Sequence, residues 1–124
     1  MNSPIFLVGL GGVLGSIVRY LIAILFNSSP LATVIINLSG CFLIGAISSL
    51  IALYFPLNQS YRLFLITGIL GSFTTFSTFG LEGFNFLKHG YHAEAFFYIG
   101  VQVFIGISMV YLGEVLVRKL IVAM

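Results

Sequence analysis

Four long apolar segments, separated by short polar stretches, make up almost the whole chain. They cover residues 4–26, 31–55, 61–87 and 93–116, to within a residue or two. Each is long enough to cross the hydrocarbon core of a bilayer, which takes roughly 20 apolar residues in a helix. Because the stretches between them are short, neighbouring helices have to run antiparallel. The pattern predicts an all-α membrane protein with four transmembrane helices in a single domain, residues 1–124.

The amino-acid composition supports this assignment and narrows the function. The chain is 60% hydrophobic and only 6% charged, whereas a soluble domain is about 25% charged. The few basic residues are dispersed, so we expect no nucleic-acid partner. The first apolar segment is preceded by no basic residue, and we therefore expect a retained span rather than a cleaved signal peptide.

The polar residues inside the segments argue against an enzyme. They form no Ser-His-Asp arrangement, no carboxylate pair and no set of metal-ligand side chains. They are neutral amides, hydroxyls and aromatic rings, which suit the selection of an ion or small solute. The sequence predicts a membrane protein that moves or binds a solute without breaking a bond.

Polar residues and glycines interrupt the third segment at residues 71–80, Gly-Ser-Phe-Thr-Thr-Phe-Ser-Thr-Phe-Gly. Polar groups in hydrocarbon are costly and usually face a partner, a cavity or an ion path. Gly71 also weakens the helix where these groups begin. We therefore predict a third helix that is broken near its middle, with Phe73, Phe76 and Phe79 in one drifting stripe. A plain helix contact rich in hydroxyls and packed rings is the alternative.

The other spans carry single polar residues, each with two interpretations. Arg19 would attract an anion at a vestibule, or extend its side chain to the lipid headgroups. Asn37 would donate to an anion, or bond a neighbouring helix. Tyr98 and Gln102 share a face of span 4 and would line a path, although a tyrosine also suits a membrane-interface position. Glu82 would tune the polar stripe or reach water.

Small residues and the distribution of charge bear on assembly. The pairs Gly11/Gly15 and Gly12/Ser16 have the spacing that lets two helix backbones approach closely. Basic residues are divided almost evenly between the two sides of the membrane, which is a weak orientation signal. Three lie on the side of the termini and two on the other: Arg62, Arg118 and Lys119 against Arg19 and Lys88. We therefore predict that the chain inserts in both orientations.

Three motifs together resemble the Fluc (CrcB) fluoride channels. They are Gly11-Gly12-x-x-Gly15-x-x-x-Arg19-Tyr20, Asn37-x-x-Gly40-x-x-x-x-Gly45, and Gly71-x-x-Thr74-Thr75-Phe76-Ser77-Thr78-Phe79 with Glu82. The resemblance extends over the chain length and the four-span layout. It implies a fluoride-specific channel that exports fluoride passively and limits its toxicity, in the plasma membrane of a bacterium or archaeon.

The resemblance also implies an assembly and a set of site residues. The expected assembly is an antiparallel, dual-topology homodimer in membrane lipid, with two pores and a structural Na⁺ at its centre. Backbone carbonyls of Gly71 and Thr74 would hold that ion. The implied fluoride pore residues are Asn37, Phe76, Phe79, Ser77, Thr78, Tyr98 and Gln102, with Arg19 at the vestibule. Gln102 and Gly106 depart from the family, which often carries hydroxyls at these places on span 4.

Two other functions suit four short apolar spans but explain this sequence less well. A small multidrug-type proton-coupled transporter also has four short spans, but it depends on a membrane-embedded carboxylate in span 1. Residues 4–26 contain no Asp or Glu. A non-conducting assembly subunit held by its glycine faces does not explain why threonine and phenylalanine are concentrated at the predicted break. Fluoride efflux from reconstituted protein discriminates among the three.

Overall fold

A computed structural model describes residues 3–54 and 59–123, and within these ranges the ordered elements are all helical. Four helical stretches are long and apolar enough to cross a membrane. They are α1 (Pro4–Leu25), α2 (Pro30–Tyr54), a third stretch divided into α3 (residues 59–73) and α4 (Phe76–Lys88), and α5 (residues 92–122). The predicted all-α, four-span architecture is confirmed.

Two of these stretches contain π-helical turns, in which the backbone bonds reach one residue further than in an α-helix. Helix α3 consists of Gln59–Tyr61, the π-helix Arg62–Leu70 and Gly71–Phe73. Helix α5 consists of His92–Gly100, the π-helix Val101–Ile105 and Gly106–Val122. Single π-turns inside helices are frequent at functional sites, and both of these π-helices lie in the spans that carry the predicted site.

The helix boundaries follow local sequence signals. Pro4 stands in the first turn of α1, where its missing amide is not needed. Asn27 and Ser28 form the turn before α2 with φ of 53° and 50°, a conformation that asparagine tolerates better than most residues. The predicted end of span 2 at Phe55 lies outside the described residues.

Helix α5 continues well past the predicted end of span 4 at residue 116. It reaches Val122, because no glycine or proline follows Gly113 to stop it. An ion pair one turn apart, Glu114 to Arg118 at 2.9 Å, supports this extension. The apolar segment therefore ends before the helix does.

Glycines bring α1 and α3 into backbone contact. A Cβ atom built on Gly15 would lie 2.1 Å from the carbonyl oxygen of Ile69, and one on Gly11 would lie 2.9 Å from the Cα of Gly68. The predicted packing role of Gly11 and Gly15 is confirmed. The second pair makes no such contact within the chain, because a Cβ on Gly12 meets nothing within 4 Å among the described residues.

A second glycine contact, which the sequence did not predict, joins α2 and α5. A Cβ on Gly45 would lie 2.0 Å from the carbonyl oxygen of Val110, and one on Gly113 would lie 2.2 Å from that of Phe42. The two helices run parallel, since two reversals of direction separate them. The small buried core lies beside them, where Ile36, Leu70 and Phe73 meet.

The third span is broken between α3 and α4, as predicted. Thr74 and Thr75 have extended backbones, with φ, ψ of −75°, 157° and −145°, 112°. Gly71 itself remains helical, at −64°, −29°. The break therefore begins three residues after Gly71, the residue predicted to weaken the helix. It lies where the backbone of Thr75 is hydrogen-bonded to Asn37 of α2.

Candidate functional site

The side chain of Asn37 on α2 binds the backbone of the break. Its Oδ1 accepts a hydrogen bond from the amide of Thr75 at 2.8 Å, and its Nδ2 donates to the carbonyl of Thr75 at 3.1 Å. The same Nδ2 donates to Oε1 of Gln102 on α5 at 2.6 Å. Asn37 therefore joins α2, the break and α5, and both hydrogens of its amide are engaged within the chain.

Hydroxyl groups terminate the two half-helices on either side of the break. Thr75 is the N-cap of α4, and its Oγ1 accepts from the amide of Thr78 at 3.3 Å. Its hydroxyl also donates to Oγ1 of Thr78 at 2.9 Å and lies 3.4 Å from Oγ of Ser77. On the other side, Oγ1 of Thr74 donates to the carbonyl of Leu70 at 3.0 Å. Two of these four hydroxyls, those of Ser77 and Thr78, belong to the predicted pore set, and all four take part in the contacts that shape the break.

These contacts release two backbone carbonyls. In a continuous α-helix, each carbonyl accepts from the amide four residues later. The amide of Thr75, four residues after Gly71, bonds Asn37 instead. The amide of Thr78, four residues after Thr74, bonds the Thr75 hydroxyl. The carbonyls of Gly71 and Thr74 are therefore left without their helical donors.

The carboxylate of Glu82 on α4 accepts hydrogen bonds from hydroxyl groups on two other helices. Thr33 on α2 donates to its Oε1 at 3.1 Å, and the Tyr98 hydroxyl on α5 donates to its Oε2 in a short hydrogen bond. A carboxylate inside a membrane needs such partners, because its desolvation is costly. Tyr98 therefore points into the bundle and not toward the membrane interface. Arg19 lines the same cavity as Glu82 and Thr33, with a volume of about 300 Å³.

Aromatic rings form a row from the break to α5. The ring centroids of Phe76 and Phe79 are 5.4 Å apart, those of Phe79 and Tyr98 are 5.7 Å apart, and those of Tyr98 and Phe86 are 5.5 Å apart. Phe76 is 83% exposed, whereas Phe73 is 6% exposed and belongs to the core. The predicted single stripe of three phenylalanines is wrong, because the extended residues at the break turn Phe73 away from the other two.

A cavity of about 400 Å³ opens beside the break and contains most of the predicted site. The predicted site residues that line it are Asn37, Gly71, Thr74, Phe76, Phe79 and Gln102. Of the described residues that line it, none is charged. Gln102 belongs to the wall of this cavity, and its Nε2 atom is buried without a hydrogen-bond partner among the described residues. Ser77 lies exposed at the start of α4, and Thr78 lines the neighbouring cavity with Arg19.

Thr75, Thr33 and Glu82 belong to the site although the sequence did not place them among its residues. Each had a signal in the sequence. Thr33 precedes Asn37 by one helical turn, and Thr75, Thr78 and Glu82 lie on one stripe of the third segment. What the sequence could not supply is the pairing across helices, since Thr33 and Glu82 are 49 residues apart in the chain.

Comparison with known proteins gives matches over nearly the whole chain. The family described as CrcB-like protein, Camphor Resistance (CrcB), matches residues 6–114. A protein of Azobacteroides pseudotrichonymphae named fluoride-specific ion channel FluC is 38% identical over 121 residues, covering 94% of this chain and 97% of its own. Proteins of the same name from Methanococcus maripaludis and Hydrogenobaculum are 43% and 44% identical, covering 89% and 94% of this chain and 92% and 97% of their own.

Proposed function

Because the chain belongs to the CrcB-like protein family, we propose that it is a fluoride-specific ion channel. It exports fluoride passively across the plasma membrane and so limits fluoride toxicity. The relatives named as fluoride-specific channels support the choice of ion. The observation that carries the proposal is the cavity at the break, whose described lining includes two amide side chains, two phenylalanine rings and no charged residue.

The chemistry of this cavity suits fluoride, which is small and strongly hydrated. A path through the membrane has to replace the water that the ion loses. Amide and hydroxyl groups donate hydrogen bonds, and the edges of aromatic rings carry partial positive charge. The rings of Phe76 and Phe79 are within contact of each other beside the cavity. Neutral donors also let the ion leave again, which conduction requires and a ring of lysines would prevent.

We further propose that the channel is an antiparallel homodimer with two pores. The near-even distribution of basic residues supports insertion in both orientations. The exposed ring of Phe76 and the exposed backbone at Gly71 support a contact at the break, since a two-fold pair places the same patch against itself. Cross-linking of single-cysteine variants at opposite ends of the third span tests this arrangement. Links between same-end pairs alone would contradict it.

We propose that the carbonyls of Gly71 and Thr74 hold a sodium ion at the centre of this dimer. Both have lost their helical amide donors, and unwound carbonyls in broken membrane helices are suitable ligands for Na⁺. A second copy would bring the same two oxygens, and the bound ion would add positive potential without a charged side chain. We expect the purified dimer to melt at a higher temperature in sodium chloride than in choline chloride at equal ionic strength.

Fluoride efflux from liposomes tests the channel itself. Purified protein is reconstituted into vesicles loaded with potassium fluoride, and release is started with valinomycin and followed with a fluoride electrode. We expect rapid fluoride release and no chloride release under the same conditions. Release that requires a proton gradient would indicate a coupled transporter. Assembled protein without release would indicate a non-conducting subunit.

A further inference from the structure

Polar or small residues recur at four-residue spacing along much of α5. Tyr98, Gln102 and Gly106 stand at four-residue spacing. Gln102, Gly106 and Val110 line the cavity at the break, and Val110 also lines a further cavity with Glu114 and Arg118. At 1.5 Å per residue, the distance from Tyr98 to Arg118 is about 30 Å, the thickness of the hydrocarbon core. These residues therefore extend over a length of helix sufficient to cross the membrane.

Three cavities adjoin one another through shared lining residues. The cavity with Arg19 and the cavity at the break share Thr75 as a lining residue. The cavity at the break shares Ile44 and Val110 with a third cavity of about 380 Å³, which lies between the last turns of α2 and α5. The proposed pore residues account for the first two cavities and leave the third unexplained.

The third cavity contains a polar group with unused capacity. Ser49 lines it and is 6% exposed, and its Oγ is buried without a hydrogen-bond partner among the described residues. Leaving a buried hydroxyl unpaired is unfavourable, whereas most serines in membrane helices bond the preceding turn. Ser39, on the same helix, does so at 2.6 Å from the carbonyl of Ile35. Ser49 differs from it by having an open cavity beside it.

Charges at the mouth of the cavity are balanced. Arg118 and Glu114 line it and are joined by one contact, from Nη2 to Oε1 at 2.9 Å. The guanidinium carries five N–H donors, so it keeps donors for a further partner. Its side chain is 62% exposed, which places it in reach of water. The carboxylate offsets most of the attraction that Arg118 exerts on an anion.

We propose that Ser49 and Arg118, with Ser48 beside them, form an anion site at the end of the path opposite Arg19. Here a permeating fluoride exchanges contacts with the protein for contacts with water. The balance between Arg118 and Glu114 keeps the site weak, as a conducting path requires. This inference rests on the proposed channel function and extends it to a residue set at the second mouth.

Fluoride efflux from liposomes tests the site with two variants and two matched controls. Ser49→Ala removes the unpaired hydroxyl, and we expect flux to fall by about fivefold, the loss expected for one ordinary hydrogen bond. Ser39→Ala removes a hydroxyl bonded to its own helix and should leave flux unchanged. Arg118→Gln should lower flux more at low than at high ionic strength, because salt screens exposed charges. Lys119→Gln makes the same change of charge next to Arg118, and a smaller effect is expected there.

The outcomes separate this site from the channel function. Absence of fluoride release by the unchanged protein would overturn both. Release by the unchanged protein with equal flux in Ser49→Ala and Ser39→Ala would overturn the site alone. A second readout does not depend on the hydroxyl. Cys41, the single cysteine of the chain, is first replaced by serine. In this background, Ser48→Cys should make flux sensitive to block by silver ions. Undiminished flux in silver would mean that the third cavity is not on the path.

Discussion

The two halves of α2 contact their neighbours by different means. In its second half, Gly45 lets the helix backbone touch that of α5 at Val110, with no room for even one methyl group. In its first half, Asn37 reaches out to Thr75 and Gln102 through hydrogen bonds. The glycine contact leaves no space between the two backbones, whereas the polar contacts lie beside a cavity of about 400 Å³.

The difference reflects what each contact can do in lipid. Lipid tails are as apolar as leucine, so helices associate through close packing and hydrogen bonds rather than through the hydrophobic effect. Backbone contact at a glycine gives close packing and fixes a distance. Hydrogen bonds from Asn37 fix a break in a helix and keep polar atoms beside an open space. We infer that the glycine contacts hold the bundle together and that the polar contacts shape the ion path.

The largest effect is expected where the backbones touch. Gly45→Ala places a methyl carbon 2.0 Å from a backbone oxygen of α5, and no side-chain rotation relieves such a clash. Overpacking costs about 1–3 kcal/mol or more, so we expect the melting temperature in detergent to fall by roughly 10 °C or more, with loss of assembled protein. Gly100→Ala adds the same methyl where nothing lies within 4 Å among the described residues. Equal melting temperatures for the two would show that the contact can relax.

A large effect on flux, without loss of assembly, is expected from Asn37 in the first half of α2. Asn37→Asp removes the two donors that bind the Thr75 carbonyl and Gln102, and it adds negative charge on an anion path. We expect fluoride flux to fall by about a hundredfold, equivalent to about 2.7 kcal/mol at the barrier, while the oligomer keeps its size in chromatography. Ser39→Ala on the same helix serves as control. Normal flux in an assembled Asn37→Asp protein would remove Asn37 from the path.

The three phenylalanines near the break lie in two different environments, the cavity and the packed core. Phe76 and Phe79 lie at the cavity, whereas Phe73 packs against Ile36 and Leu70 in the core. Leucine has no positively polarised ring edge, so Phe76→Leu and Phe79→Leu should each lower flux about tenfold or more if the edges replace hydration. Phe73→Leu should cost modest stability and leave flux nearly unchanged. Flux measured side by side decides, and three equal values would mean that the rings only pack.

The sequence predicted the elements of this structure better than their contacts. Four spans and a broken third helix follow from apolar length and from polar residues within one segment, which are local properties. The position of the break does not, because it depends on a bond between Asn37 and Thr75, which are 38 residues apart. The contact of Gly45 with α5 cannot be predicted from local sequence either, because its partners are also far apart in the chain. Both glycines of that contact are visible in the sequence, but nothing local pairs them.

The smallest effect is expected from the second contact that holds the break, the cap made by Thr75. Its hydroxyl accepts the Thr78 amide, while its own amide and carbonyl bind Asn37. Thr75→Ala removes only the cap and should cost about 1 kcal/mol, the usual value for an N-cap, which lowers the melting temperature by a few degrees. Thr75→Ser keeps the hydroxyl and should melt close to the unchanged protein. A loss of stability in Thr75→Ala as large as that in Asn37→Asp would mean that the cap, and not the asparagine, fixes the break.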